Sequence, residues 1–343
     1  MIFKSISDKR FHIAKKIGEV MWRKLIVIEM LLCFSALTMP AKPTAADSLL
    51  VMFWNLENFF DYVDDGGGVS DAEFSPEGAR HWTPYRFYAK CSAIAKSVFW
   101  TADKYGRMPD IIGVAEVENR GVLTRLLYST NLSKQGYSII HYDSNDHRGI
   151  DVALLWRKEK LKCEGSKNCH IDSLRTRDIL IADFVTESGD NLSIAVVHLP
   201  SKYGGGKTAW KRKLAAERLC SVVDSVMENG TRNVVVMGDF NDGPQAGEFD
   251  VLKKIIVNTA APLARKGEGS IRFNGKWSLI DMFWVTENMA SETEMEVVHI
   301  PFLSVWDSKM AGYKPLRTYL GPNYVGGVSD HCPIVLKLRT GFP

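Results

Sequence analysis

The sequence predicts an α/β sandwich of two packed mixed sheets, and three observations carry that expectation. Apolar runs of four to seven residues alternate with stretches of helical period, no strict strand-helix repeat holds along the chain, and no low-complexity linker divides it. A doubly wound sheet is disfavoured, because no glycine-rich dinucleotide turn follows the first apolar run. The chain has 343 residues, long for one domain but within the range of a large α/β domain once a removable leader is set aside.

Such a leader is expected at the N-terminus. Residues 1–24 carry Lys15, Lys16, Arg23 and Lys24, residues 25–37 form an apolar run broken by Glu29, and Thr44-Ala45-Ala46 offers small residues before Asp47. The run is shorter than the ~20 residues a membrane span needs. A signal peptide over 1–46 and an exported domain over 47–343 are therefore expected ahead of a membrane anchor, with Met21 as an alternative start. Leu32 stands where a lipoprotein signal wants a small residue, which counts against Cys33 as a lipid site. Removing the leader's eight basic and three acidic residues takes the chain's 43 basic and 40 acidic residues to 35 and 37, a formal charge of −2. That balance gives no support to wrapping of nucleic acid by a broad basic face. It leaves open a nuclease whose site is made positive by a bound metal.

Strands are expected over residues 49–54, 111–115, 152–156, 179–185, 193–198, 233–237, 279–286 and 333–337, each a short apolar run between turn formers. Val234-Val235-Val236-Met237 reads as a strand buried on both faces. Helices are expected over 84–103, 119–132 and 207–229, the last with Trp210, Leu214, Leu219, Val222 and Val226 at helical spacing. Trp54, Trp156, Trp277 and Trp284 lie in strand-like runs and are expected in the core. The loop Ser201 to Thr208 fails as a phosphate cradle, since Ser201 stands where that motif needs glycine. Lys207, Lys211, Arg212, Lys213 and Arg218 are expected mostly in solvent, while Lys202 is a candidate contact for an anionic substrate. Cys163 and Cys169 flank a polar segment that suits a loop closed by a disulfide, two free thiols being the alternative.

Polar clusters sit at the ends of these strands. Asn55, Glu57 and Asn58 follow the first, Glu116, Glu118 and Asn119 the second, and Arg148-Gly149-Ile150-Asp151 precedes the third. His198 closes another strand, Asp239, Asn241 and Asp242 follow Gly238, Asp281 lies in a further run, and Ser329-Asp330-His331 precedes the last. Gly238 to Asp242 alone reads equally as a turn. Together, however, the clusters supply carboxylate and amide oxygens from Asn55, Glu116, Asp239, Asn241 and Asp330, which suit magnesium or manganese better than zinc. Such an ion polarises a phosphoryl oxygen. His331 with Asp281 to orient it forms a proton-transfer pair, and His198 is a second acid or cation. Glu57 is expected to cap the strand end, Glu118 and Asn119 to cap the helix that follows. Arg148 is a surface residue or a phosphate contact, with Gly149 allowing close backbone approach. Asp151 and Asp242 are expected in supporting places.

These motifs, in this order over residues 49–338, resemble the endonuclease/exonuclease/phosphatase superfamily, the deoxyribonuclease-I-like enzymes. Residues 198–206 and 306–331 are similar to exported bacterial endonuclease-like members. The resemblance implies a four-layer sandwich of two mixed β-sheets flanked by helices, and metal-dependent hydrolysis of phosphodiester bonds in DNA or RNA. Sphingomyelin, a phosphoinositide or a small phosphate ester is the alternative substrate, and a non-catalytic phosphate-recognition module the alternative role. It implies Glu116 as the principal metal ligand, with Asn55 beside it and Asp330 assisting. Asp239 would align or activate water, with Asn241 holding water or phosphate. Asp281 and His331 would stabilise the phosphate or move a proton, and His198 would bind phosphate or protonate the leaving oxygen. Magnesium is the expected cofactor, with manganese or calcium as alternatives, and Arg148 and Lys202 are candidate substrate contacts. No stable protein partner is implied, and a monomer is expected.

Overall fold

The computed structural model describes residues 48–203 and 205–340. The expected leader, with Met21 and Cys33, lies outside the described residues. Twelve strands build the sandwich: β1 (Ser48–Phe59), β2 (Ile111–Val117), β3 (Tyr137–His141), β4 (Asp151–Arg157), β5 (Leu161–Cys169), β6 (Ile179–Thr186), β7 (Asn191–His198), β8 (Val234–Asp239), β9 (Val257–Asn258), β10 (Asp281–Val285), β11 (Thr293–Val297) and β12 (Ile334–Arg339). Three helices flank them: α1 (Pro84–Tyr105), α2 (Arg120–Tyr128) and α3 (Ala209–Glu228). One six-stranded sheet runs β11-β12-β1-β2-β4-β3 and the other β5-β6-β7-β8-β10-β9. The predicted mixed character holds in each, since β1/β2 and β7/β8 are parallel pairs inside otherwise antiparallel sheets.

Burial on both faces explains why the central strands read as unbroken apolar runs. In β1, Leu49, Val51 and Phe53 pack into the core between the sheets, while Leu50, Met52 and Trp54 join the layer formed with Phe87, Cys91, Ile94 and Val98 of α1. Val234, Val235, Val236 and Met237 of β8 are fully buried, each side chain contributing roughly 1.5–3 kcal/mol relative to exposure. Ala215, Leu219, Val222 and Val226 of α3 cover the second sheet, which completes four layers. Gly238 is required where β8 meets β7, because a Cβ there would come within 2.1 Å of the Val197 carbonyl oxygen.

Helix ends follow local chemistry. Pro84 opens α1 after Thr83, whose hydroxyl accepts from Arg86 N, and Gly106 closes it at φ 71°. Asn119 caps α2 as expected, accepting from Val122 N at 3.1 Å. The helix predicted over 119–132 stops at Tyr128, and a separate short turn, Asn131–Gln135, follows Thr130.

Several expectations need correction. Cys163 and Cys169 are free thiols in the single strand β5, pairing with Phe184 and Ile179 of β6. Six residues of extended chain hold them ~20 Å apart, far beyond disulfide reach. Arg212 is not in solvent but 1 % exposed, donating to Asp242 and Glu248 at 3.3 and 3.1 Å. Trp210, placed on the apolar face by spacing, is 56 % exposed because it occupies the first turn of α3. Trp54 and Trp284 are core residues and Trp156 packs against Phe184. Trp277 instead is half-buried on a short hairpin, edge-on to His299 at 5.2 Å.

Candidate active site

The two parallel pairs end together, and their ends carry the polar residues. Register alone sets three of them in a row, because His198 of β7 lies opposite Asp239 of β8, which lies opposite Asp281 of β10. Across from this row, Asn55 at the end of β1 donates through Nδ2 to Asp239 Oδ2 at 3.0 Å and to Glu116 Oε1 at 3.4 Å. One amide thus spans both sheets. His331 enters from the segment before β12, its Nδ1 2.7 Å from Asp281 Oδ2 and its Nε2 3.9 Å from Asp239 Oδ2. His198 Nε2 lies 3.5 Å from Asp239 Oδ2 and 4.0 Å from Glu116 Oε1.

Backbone strain concentrates at these ends. Glu57, Asn58, Glu116 and Asn241 have φ of 45°, 53°, 60° and 54°, a left-handed conformation that costs of order 1 kcal/mol or more for each non-glycine residue. Three of the four are held there by the site itself. Glu57 N donates to Asn55 Oδ1, Asn58 N to Glu116 Oε2 and Asn241 N to Asp239 Oδ1, all within 2.9 Å. The cost of the strain is thereby offset by fixing three functional side chains.

Electrostatics then separate the titratable groups. Burial and the neighbouring Asp281 raise Asp239 to about 7, against the opposing pull of His331 and hydrogen bonds from Asn241 and Asn55. Burial works against a charged His331, but Asp281, Asp239 and Asp330 outweigh it and raise the imidazole well above its ordinary value. His198 moves the other way, pushed well below by burial and by the positive charges of Arg177, Arg148 and His331. The site therefore pairs a charged imidazole with a neutral one across a single carboxylate.

The remaining expected residues are distributed unevenly. Asn241 stands beside the site with Nδ2 on the Leu199 carbonyl at 2.9 Å. Asp330 lies 3.8 Å from His331 Nε2 and 3.3 Å from Arg317 Nη2. Arg148 reaches Glu116 Oε2 at 3.7 Å and also donates to Asn58 Oδ1. Lys202 is turned to an ion pair with Asp242 at 2.7 Å, so Asp242 supports the loop that leads to α3. Asp151 holds Ser144 N at 3.0 Å and faces His141 Nε2 at 3.4 Å, so its contacts run to that segment instead of to Asp239 and Asp281.

Glu57 overturns its expected capping role. The bulge between Asn55 and Phe59 turns it inward, where Arg317 binds its Oε1 at 2.6 and 2.8 Å. Burial and Asp330 raise its carboxyl to about 7, while Arg317 and Lys90 pull it down. Lys90, Arg317 and Arg177 were missing from the predicted site. Lys90 is 2 % exposed, donates to the Glu57 carbonyl at 2.6 Å and to Thr318 Oγ1 at 2.9 Å, and is lowered to about 8 by burial. Its sequence signal was a lysine inside the apolar stripe Phe87, Cys91, Ile94, Val98. Arg177 donates to the His198 and Leu199 carbonyls at 3.1 and 2.7 Å; nothing local in the sequence marks it.

The donor set fits a hard divalent ion. Glu116 and Asp330 keep carboxylate surface open, at 13 and 26 % side-chain exposure. Nearby, Glu57 Oε2 is buried without a partner. Carboxylate oxygens of this kind suit magnesium or manganese. Asn55 sits beside Glu116 as expected, but its Oδ1 is engaged by Glu57 N, so it serves the carboxylates as a donor.

Comparison with known proteins places this fold. The chain is similar in structure to the human Nocturnin catalytic domain with bound sulfate anion, at 18% identity and TM-score 0.52, covering 88% of this chain and 97% of that one. It is likewise similar to the Bacteroides thetaiotaomicron mannosyl-6-phosphatase, at 15% identity and TM-score 0.52, covering 85% and 99%. A humanized D. rerio TDP2 aligns at 14% identity and TM-score 0.54, covering 86% and 100%. At such identities the likeness is one of fold. The Bos taurus endonuclease/exonuclease/phosphatase family domain-containing protein 1 is 25% identical over 154 residues, 44% of this chain and 24% of that protein. The matched segment thus spans about a quarter of that relative's length. A family model described as the Endonuclease/Exonuclease/phosphatase family matches residues 50–340, nearly the whole described chain, and the protein belongs to that family.

Proposed function

We propose that this protein is an exported, magnesium-dependent phosphodiesterase that cleaves DNA or RNA internally. The observation that carries the hydrolytic reading is the row His198–Asp239–Asp281 closed by His331, facing Glu116 and Asn55 from the opposite sheet. Glu116 and Asp330, with Glu57 adjacent, would hold the divalent ion, which would supply positive charge for a phosphoryl oxygen. Asp239 takes the proton of the attacking water as the water oxygen bonds to phosphorus. His331, kept cationic by Asp281, neutralises phosphoryl charge and gives its proton to the ester oxygen as that bond breaks. His198, neutral, offers Nε2–H to a phosphate oxygen, and Arg148 adds charge beside Glu116.

Support for a polymeric substrate comes from the surface next to His331. Ile271 forms a β-bridge with His331, and the hairpins flanking this point expose Phe273, Trp306 and Tyr313 at 72, 55 and 63 %. Exposed aromatic faces beside a phosphate site suit stacking of unpaired bases. The mannosyl-6-phosphatase neighbour favours a second reading, a small phosphate ester. Nicking of supercoiled plasmid and cleavage of single-stranded DNA and RNA, with magnesium and after chelation, separate the two. Turnover of mannose 6-phosphate or of phospholipid headgroups, with none on plasmid or RNA, would overturn the nuclease assignment.

A further inference from the structure

Two residues beyond Glu116, the chain builds a second group of carboxylates that the hydrolytic site does not use. One oxygen from each of Asp65, Asp71 and Glu118 lies within 4.8 Å of the others. Glu118 is 6 % exposed, and while its Oε2 accepts from Asp61 N at 2.6 Å, its Oε1 is buried with no partner. Asp71 is 1 % exposed and uses a single oxygen, Oδ2, for the N–H groups of Asp65, Gly66 and Gly67 at 2.8–3.0 Å. Among the described residues no ion pair reaches any of the three. The arginines lining the adjoining cavity of about 690 Å³ are committed elsewhere. Arg125 pairs with Asp61 at 2.5 Å, and Arg120 donates to the Ile139 carbonyl at 3.0 Å.

A carboxylate oxygen buried without a partner, beside two further carboxylates, is compensated either by a proton or by a bound cation. We infer that Asp65, Asp71 and Glu118 bind a calcium ion that fastens the 61–74 loop to the end of β2. All-oxygen ligands on a glycine-containing loop suit calcium, which accepts irregular geometry, better than magnesium. The ion would act on the hydrolytic site through the loop's backbone. Val69 N donates to the His147 carbonyl at 3.1 Å, and a Cβ on Gly68 would come within 2.5 Å of the Arg148 carbonyl carbon. The loop therefore backs Arg148, which touches Glu116.

The test titrates calcium chloride into the Glu116→Ala protein, whose hydrolytic ion site is disabled, and reads heat and thermal midpoint. One equivalent of calcium should bind and raise the midpoint by about 5 °C at saturating concentration. Asp65→Asn and Glu118→Gln in that background should each weaken binding by about tenfold or more, with unchanged far-UV circular dichroism. Asp65 is exposed, so its variant decides the matter if Glu118→Gln does not fold. Absence of binding to Glu116→Ala, or undiminished binding by the variants, would overturn the inference.

Discussion

Glu116 and Glu118 stand two residues apart at one strand end, yet their surroundings differ. Glu116, in a left-handed backbone at the irregularity between Ala115 and Val117, faces Asn58 N, the Asn55 amide and Arg148, with His198 near. Glu118 has one backbone donor and one bare oxygen among other carboxylates. Acidic residues at a strand end thus acquire meaning from the donors that meet them. The cluster around Glu116 and Asp239 already meets two imidazoles, the Asn55 amide, Arg148 and Arg317, so its carboxylates are held by donors within the fold. Among the described residues the loop cluster has no such imidazole or arginine partners.

The largest expected effects test the donor-held cluster. Glu116→Gln and His331→Gln should lower turnover by about 10²- to 10⁴-fold, with the thermal midpoint within a few degrees of the parent because each change keeps most of the side-chain volume and leaves an amide donor facing the neighbouring groups. Phosphodiesterase assays beside thermal melts read both, and retained turnover in both variants would remove the site from the catalytic account. Asp281→Asn should cost less, about 10²-fold, since His331 keeps its place but loses the carboxylate that holds it cationic; an undiminished rate would leave Asp281 a structural role only. Arg317→Ala, which releases both Glu57 and Asp330, should weaken magnesium activation by about tenfold, measured as the magnesium concentration for half-maximal rate. An unshifted midpoint would separate Arg317 from the ion site.

The smallest effect sets the scale for a carboxylate near solvent. Partial burial would raise Glu296, but hydrogen bonds from Lys337, Lys104 and Tyr105 outweigh it and hold the group at about 2, against an ordinary 4.5. A depressed folded-state value stabilises the protein above pH 4.5, and that contribution fades as pH falls toward 2. Solvent screening keeps it modest. Glu296→Gln should lower the melting midpoint by about 1–3 °C at pH 7, with the gap closing as pH drops from 4.5. A gap independent of pH would show that packing, not charge, accounts for it.

Much of the fold was legible because burial leaves a local signature. The eight predicted strands all occur, with β1 extended through Glu57 and Asn58 because its end is bulged instead of capped. Lys90 in an apolar helical stripe was a visible anomaly, whereas Arg177 and Arg317 were not, since an arginine in a loop looks the same whether solvated or bound. Cys163 and Cys169 misled because a polar strand at a sheet edge shares its composition with a loop.

The sequence by itself determined the order of eight of the twelve sandwich strands and of the three helices, and the polar character of the strand ends, since alternation and apolar run length follow from local burial. Only the tertiary structure decided which carboxylates are matched by donors. Register across β7, β8 and β10 places His198, Asp239 and Asp281 in one row, and the packing of the two sheets brings Asn55 across to meet it. Those distances arise between residues up to 277 positions apart, as in the bond from Trp54 Nε1 to the His331 carbonyl. No local pattern encodes them, because hydrogen-bond energy depends on ångströms that only the closed sandwich fixes.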